Sequence, residues 1–142
     1  MSVGRICTRV VATASALETI RTAAERMEAH NVGTVVVVGS EGSPQGILTD
    51  RDIALRCVAK GRDPDDTRVG DLMTRPVRFV HLASPIESAL EAMKKGSVRR
   101  LAVVDDDGML VGIVTLDDVL DLVMEEVETI GAIVRRESPV GL

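Results

Sequence analysis

Gly46-Ile47-Leu48-Thr49-Asp50-Arg51-Asp52 is answered 66 residues later (112 − 46) by Gly112-Ile113-Val114-Thr115-Leu116-Asp117-Asp118. Each string is a short apolar run that ends in Thr-x-x-Asp. That ending is a helix-start signature, in which a threonine hydroxyl and an acidic side chain three residues on satisfy the first free amides of a helix. Working outward, the same offset pairs Thr8-Arg9 with Thr74-Arg75, Val11 with Val77, Ile20 with Ile86, Ala23 with Ala89, Met27 with Met93 and Val37-Val38 with Val103-Val104. An ungapped register over that distance marks an internal repeat. The period is too long for a solenoid unit, and one copy is too small to bury its own apolar surface well. The chain therefore reads as two copies of one supersecondary unit.

Ile20, Ala23, Ala24 and Met27 stand at i, i+3, i+4 and i+7, as do Ile86, Ala89, Leu90 and Met93, which places one apolar stripe on a helix in each copy. Ser84-Pro85-Ile86-Glu87 predicts a helix start with Ser84 as N-cap and Pro85 in the first turn. Val35 to Val38 and Leu101 to Val104 have strand length and are followed by the turn-formers Gly39 to Pro44 and Asp105 to Gly108. Strands near Gln45–Leu48 and Leu110–Val114 then complete a hairpin in each copy. A second helix is expected from about Asp50 to Lys60 and from about Leu116 to Ile130.

The predicted class is thus α/β (α+β): two βαββα repeats, residues 1–62 and 67–128, related by a pseudo-two-fold axis and packed sheet to sheet. A linker at 63–66 (Asp63-Pro64-Asp65-Asp66) joins them, and a tail at 129–142 follows. Two equivalent clefts are expected between the repeats, where ligand sites tend to lie.

Composition narrows the function. Of 142 residues, 45% are hydrophobic but only 1% aromatic, Phe79 being the sole aromatic, so Val, Ile, Leu, Ala and Met must fill the core. The net charge of −5, with scattered Lys and Arg and no aromatic stacking platform, argues against nucleic acid as a partner. The first twenty residues hold Arg5, Arg9 and Glu18 and no long apolar stretch, so no membrane span or secretory signal is read and a cytoplasmic location is expected. Cys7 and Cys57 form no C-x-x-C pair, and His30 and His81 are isolated, so neither a metal site nor a dithiol is expected. With no nucleophile and base in motif spacing, no catalytic residues are assigned.

A doubled βαββα unit with an apolar strand of the form V-x-x-L-x-V-V-D (Val98 to Asp105), a hairpin and then G-h-h-T-x-x-D, h being apolar, resembles the CBS-domain family, whose tandem pair is called a Bateman module. The resemblance covers about Ile6 to Val127. It implies a regulatory module whose clefts bind an adenosine compound such as AMP, ADP, ATP or S-adenosylmethionine, a homodimer, and a regulated partner protein. Carried over to this chain, it implies that Asp52 and Asp118 accept from ribose hydroxyls and that Thr49 and Thr115 serve ribose or the first phosphate. Gly46 and Gly112 would allow close backbone approach, and adenine would slot near Val11 and Val77.

Arg99 and Arg100, just before the strand Leu101–Val104, would reach phosphate oxygens, with Arg51 a further candidate. Their counterparts in the first copy are Gly33 and Thr34, and the sequence leaves open which cleft the arginines serve. Thr49-x-x-Asp52 and Thr115-x-x-Asp118 read equally well as helix caps without any ligand. The alternative function is accordingly a ligand-free dimeric interaction module.

Overall fold

The apolar stripes form the helices their spacing predicts. In the computed structural model, which describes residues 1–137, α2 (Ile20–His30) and α5 (Ile86–Gly96) bury Ile20, Ala23 and Met27 in one copy and Ile86, Ala89 and Met93 in the other. Both helices stop in the same way. Asn31 and Ser97 enter the left-handed region at φ 51°, and the next amide, Val32 or Val98, turns back to the carbonyl of Met27 or Met93 at 3.0 Å. The hairpins follow at β2 (Thr34–Val38) with β3 (Pro44–Thr49), and β5 (Arg100–Val104) with β6 (Leu110–Thr115). Short strands β1 (Thr13–Ala14) and β4 (Phe79–His81) add in parallel, giving two three-stranded sheets of order β1-β2-β3 and β4-β5-β6. The register is duplicated as well: Val36 faces Ile47 and Ala102 faces Ile113, and both hairpins shift register at their second-last strand position, Val37/Val38 and Val103/Val104.

Before each first strand lies a short helix, α1 (Val3–Ile6) or α4 (Val69–Leu72), and each packs on the other copy. Fully buried Val3 belongs to the core of Val80, Leu101, Val103 and Val114, whereas Val69, Leu72 and Met73 join Ile20, Val35, Val37 and Leu48. Four bridges tie the copies and exchange under the 66-residue offset. Ile47 pairs with Thr74 (N···O 3.1 and 2.8 Å) and Ile113 with Thr8 (3.0 and 2.9 Å), and Thr19 with Arg68 mirrors Pro85 with Ser2. On the sheet face opposite Val35 and Val37, side-chain alternation leaves Val36 to point between the copies, where it is fully buried, as is Ala102. The hairpin tips break the symmetry: Leu110 N donates to Gly42 O at 3.0 Å, whereas Pro44, at the matching position, has no N–H to give.

Three local expectations change. Ser84 is not the N-cap of α5; Pro85 holds that position without a side-chain cap, because the N-terminal segment supplies the acceptor, Ile86 N donating to Met1 O at 3.2 Å. The second helix of the first copy is α3 (Asp50–Asp52) continued by a π-helix, Ile53–Val58, closed by Ala59 N donating to Ala54 O at 2.9 Å. Its counterpart α6 (Leu116–Glu137) runs 22 residues, so positions 129–137 of the expected tail are helix. Residues 138–142 lie outside the described residues.

Candidate functional site

At the end of β3 the chain turns into α3 through a reciprocal capping box. Thr49 N donates to Asp52 Oδ2 at 3.0 Å and Asp52 N to Thr49 Oγ1 at 3.1 Å, an arrangement worth about 0.5–2 kcal/mol to the helix start. Asp52 Oδ1 lies 3.6 Å from Arg56 Nη2, and Arg56 Nη1 donates to Leu72 O at 2.7 Å and to Thr74 Oγ1 at 3.2 Å. The arginine thereby ties the acidic residue to the segment that crosses from the second copy.

That crossing segment forms the opposite wall. Thr49, Asp52 and Ile47 face Thr74 to Arg78 and Val98 to Arg100 across a cleft of about 490 Å³. Pro76, Val77, Val98 and Ile47 make it apolar, and Arg75, Arg78, Arg99 and Arg100 make it cationic. Two of the four arginines are committed: Arg75 Nη2 donates to Gly70 O at 2.8 Å, and Arg99 Nη2 reaches Asp117 Oδ1 at 3.4 Å. The latter pair is largely in water, with 68% and 76% of the two side chains exposed, and holds Arg99 weakly. The guanidinium groups of Arg78 and Arg100 have no partner among the described residues.

The related cleft, of about 500 Å³, is lined by Val10, Val11, Ala12, His30 and Val32, which precede Pro76, Val77, Arg78, Gly96 and Val98 by the same 66 residues. Its arginine and its glutamate are paired with each other. Arg26 Nη1 donates to Thr13 O at 2.8 Å and to Glu18 Oε1 at 3.1 Å, and Nη2 to Glu18 Oε2 at 2.7 Å. Hydrogen bonding from Arg26 holds the Glu18 carboxyl below the usual carboxylate range, against the opposing pull of partial burial, and Glu18 raises Arg26 in return. The matching positions of the first cleft are Ser84 and Ala92. Where Arg99 stands in one copy, Gly33 stands in the other, and the Asp50 carboxylate covers it: a Cβ there would lie 2.9 Å from Asp50 Oδ2.

Of the residues singled out from the sequence, Thr49, Asp52, Val77, Arg99 and Arg100 share the first cleft, which answers the question of which cleft the arginine pair lines. Val11 lies in the second. Thr115 and Asp118 repeat the capping box (Thr115 N to Asp118 Oδ2 at 2.7 Å, Asp118 N to Thr115 Oγ1 at 3.1 Å). Asp118, however, opens onto a separate hollow with Arg5, Ile6, Asp121, Leu122, Glu125 and Glu126, with Leu122 where the first copy has Arg56. Arg51 is exposed on α3 and lines neither cleft. The space over Gly46 and Gly112 is already taken by the crossing chain: a Cβ at Gly46 would meet Met73 Sδ at 2.7 Å, and one at Gly112 would meet Thr8 O at 2.8 Å. Sequence reasoning missed Arg75, Arg78 and Val98 as wall residues, although the alignment of Thr8-Arg9 with Thr74-Arg75 pointed at the crossing segment.

The CBS domain model matches residues 3–58 and 69–125, once for each copy. The chain belongs to the CBS domain family. Uncharacterized protein MK0525 of Methanopyrus kandleri is 38% identical over 122 residues, which is 86% of this chain; the chain spans 62% of that relative's length. Two solved CBS structures superpose well. A CBS domain protein from Pyrobaculum aerophilum complexed with AMP has a TM-score of 0.75 at 27% identity, covering 83% of this chain and 89% of that one. The CBS domain pair of protein MJ0100, in complex with 5′-methylthioadenosine and S-adenosyl-L-methionine, has a TM-score of 0.78 at 29% identity, covering 89% of this chain and 98% of that one. Among the described residues of this CBS pair, no group of three His, Cys, Asp or Glu side chains is placed to hold a metal ion, and no helix is long and apolar enough to cross a membrane.

Proposed function

We propose that this CBS pair is a regulatory module, without catalysis of its own, that takes up a phosphorylated adenosine ligand (AMP, ADP or ATP) in the first cleft and passes the liganded state to a partner protein in the cytoplasm. The observation that carries the reading is the coincidence, in one cavity, of an apolar slot, a carboxylate and guanidinium groups without partners. Adenine would lie between Val77, Val98 and Ile47. The Asp52 carboxylate, already oriented by Thr49 and Arg56, would accept from ribose hydroxyls, and Arg100, Arg78 and Arg99 would meet the phosphate. The cationic rim favours phosphate over the cationic sulfonium of S-adenosylmethionine. The AMP complex of the Pyrobaculum relative supports the ligand class.

Titration calorimetry of the wild type and Arg100→Ala against AMP, ATP and adenosine tests the proposal. A hydrogen bond to a charged group contributes about 1.5–3 kcal/mol, roughly 10- to 150-fold in affinity. Arg100→Ala should lose about that factor for AMP and ATP and leave adenosine nearly unchanged; equal losses for both classes would refute the phosphate role. A second reading, a ligand-free dimeric interaction module, is favoured by the capping boxes, which satisfy Thr49, Asp52, Thr115 and Asp118 from within the chain. No heat with any of these ligands or S-adenosylmethionine would favour it. On either reading the module acts as a homodimer.

A further inference from the structure

Arg78 is the last residue before β4, and its carbonyl accepts from Ala102 N at 3.1 Å, which pins its backbone to β5 while its side chain lines the first cleft. The side chain lies across the end of α5. Gly96 is the final residue of that helix, and a Cβ there would overlap Arg78 Nε and Cδ and come within 2.9 Å of Cζ. Arg78 thus occupies the volume that any side chain at position 96 would claim. Its charge sits at the carbonyl end of a helix, where a cation is favoured.

The second cleft carries the opposite pair. At the 66-residue offset Arg78 is answered by Ala12, and Gly96 by His30, the last residue of α2; both line that cleft. There a large side chain at the helix end goes with a small one on the crossing segment, and in the first cleft the sizes are reversed. The exchange gives the first cleft a guanidinium that the second lacks at this place.

We propose that Gly96 is a positioning residue for phosphate recognition: by having no side chain it seats Arg78 across the end of α5 and holds its guanidinium in the cavity that Arg100 also lines. The inference rests on the nucleotide reading above and adds that the pair Arg78/Gly96, exchanged for Ala12/His30 in the other copy, sets which cleft takes an anion. Arg78 is exposed and its side chain has several rotatable bonds, so a methyl group at position 96 displaces it without breaking the helix. Alanine also suits a helix better than glycine. Phosphate affinity and stability should therefore move in opposite directions, which they would not do for a glycine kept only for packing.

Calorimetric titration of the full chain with AMP, ATP and adenosine, beside thermal denaturation without ligand, tests this. Gly96→Ala should hold Tm or raise it by up to about 4 °C. The same variant should weaken AMP and ATP about three- to tenfold and adenosine by less than about twofold. Arg78→Ala should weaken AMP and ATP about tenfold or more, and in that background Gly96→Ala should add less than about twofold, because the side chain it displaces is gone. Nucleotide affinities unchanged by Gly96→Ala, or losses that multiply in the double variant, would overturn the positioning role and leave the nucleotide reading intact. A lowered Tm with adenosine weakened as much as AMP would show a packing glycine and overturn it as well. A wild type that takes up none of the three ligands would overturn both.

Discussion

The two clefts are built on one duplicated frame and filled in opposite ways. In one, residues 74–78 and 98–100 bring Arg78 and Arg100 into a cavity with no carboxylate to neutralise them except Asp52, which is held by Arg56. In the other, Glu18 and Arg26 neutralise each other and the Thr13 carbonyl accepts a further bond from Arg26 Nη1. A free guanidinium beside an apolar wall is poised for an anion, whereas a guanidinium already in a bidentate ion pair has its charge compensated. Duplication preserved what holds the chain together, the bridges, caps and stripes. Divergence at Ser84/Glu18, Ala92/Arg26 and Arg99/Gly33 separates an open cationic cleft from one whose charges are paired within the chain.

The sharpest way to break this contrast is to block each cleft at its matching position. Val77→Trp should reduce AMP affinity by more than roughly 100-fold, and Val11→Trp should leave it within about twofold, with a wild-type stoichiometry of one nucleotide per chain by calorimetry. A stoichiometry of two, or equal losses in both variants, would mean that the clefts are equivalent.

A smaller effect separates the glycines of the two crossings. Gly112→Ala drives a methyl group against the Thr8 carbonyl of the backbone, whereas Gly46→Ala meets first the flexible Met73 side chain. Urea denaturation should show Gly112→Ala destabilised by about 1–3 kcal/mol and Gly46→Ala by less. The reverse order would show that the first crossing is the stiffer one.

The smallest effect belongs to the pair in the second cleft. The folded-state pKa of Glu18 is depressed, so its contribution is present above the unfolded value of about 4.3 and is lost as pH falls through the lower folded value. With both side chains about a quarter to a third exposed, that contribution is at most about 1 kcal/mol. Stability measured between pH 7 and pH 3 should fall less steeply in Arg26→Ala than in wild type. Parallel curves would remove the pair from the account of the second cleft.

Much of this was legible in the sequence because it is local. The stripe Ile20, Ala23, Met27 and the strand Val35 to Val38 declare their elements within a single window, and the 66-residue register then duplicates them. The departures have different causes. Ser84 read as a cap because its neighbours fit the pattern, but the acceptor for the Ile86 amide is Met1, more than eighty residues away in sequence. Positions 129–137 of the tail belong to α6, whose acidic start and Arg135-Arg136 end agree with one continuous helix. Arg78 follows Val77 directly, but only the fold sets it in the wall beside Arg100.

The sequence by itself determined the repeat, the order of elements and the two capping boxes, since hydrogen bonding and side-chain periodicity within a few residues decide these. Only the tertiary structure decided that Arg99 and Arg100 line the cleft of Thr49 and Asp52, that Asp118 opens elsewhere, and that Gly46 and Gly112 make room for chain rather than ligand. Those facts depend on where α1 and α4 cross between the copies. The crossing is fixed by burying Val3, Val69 and Leu72 in the opposite core, a contact between distant segments that no local window contains.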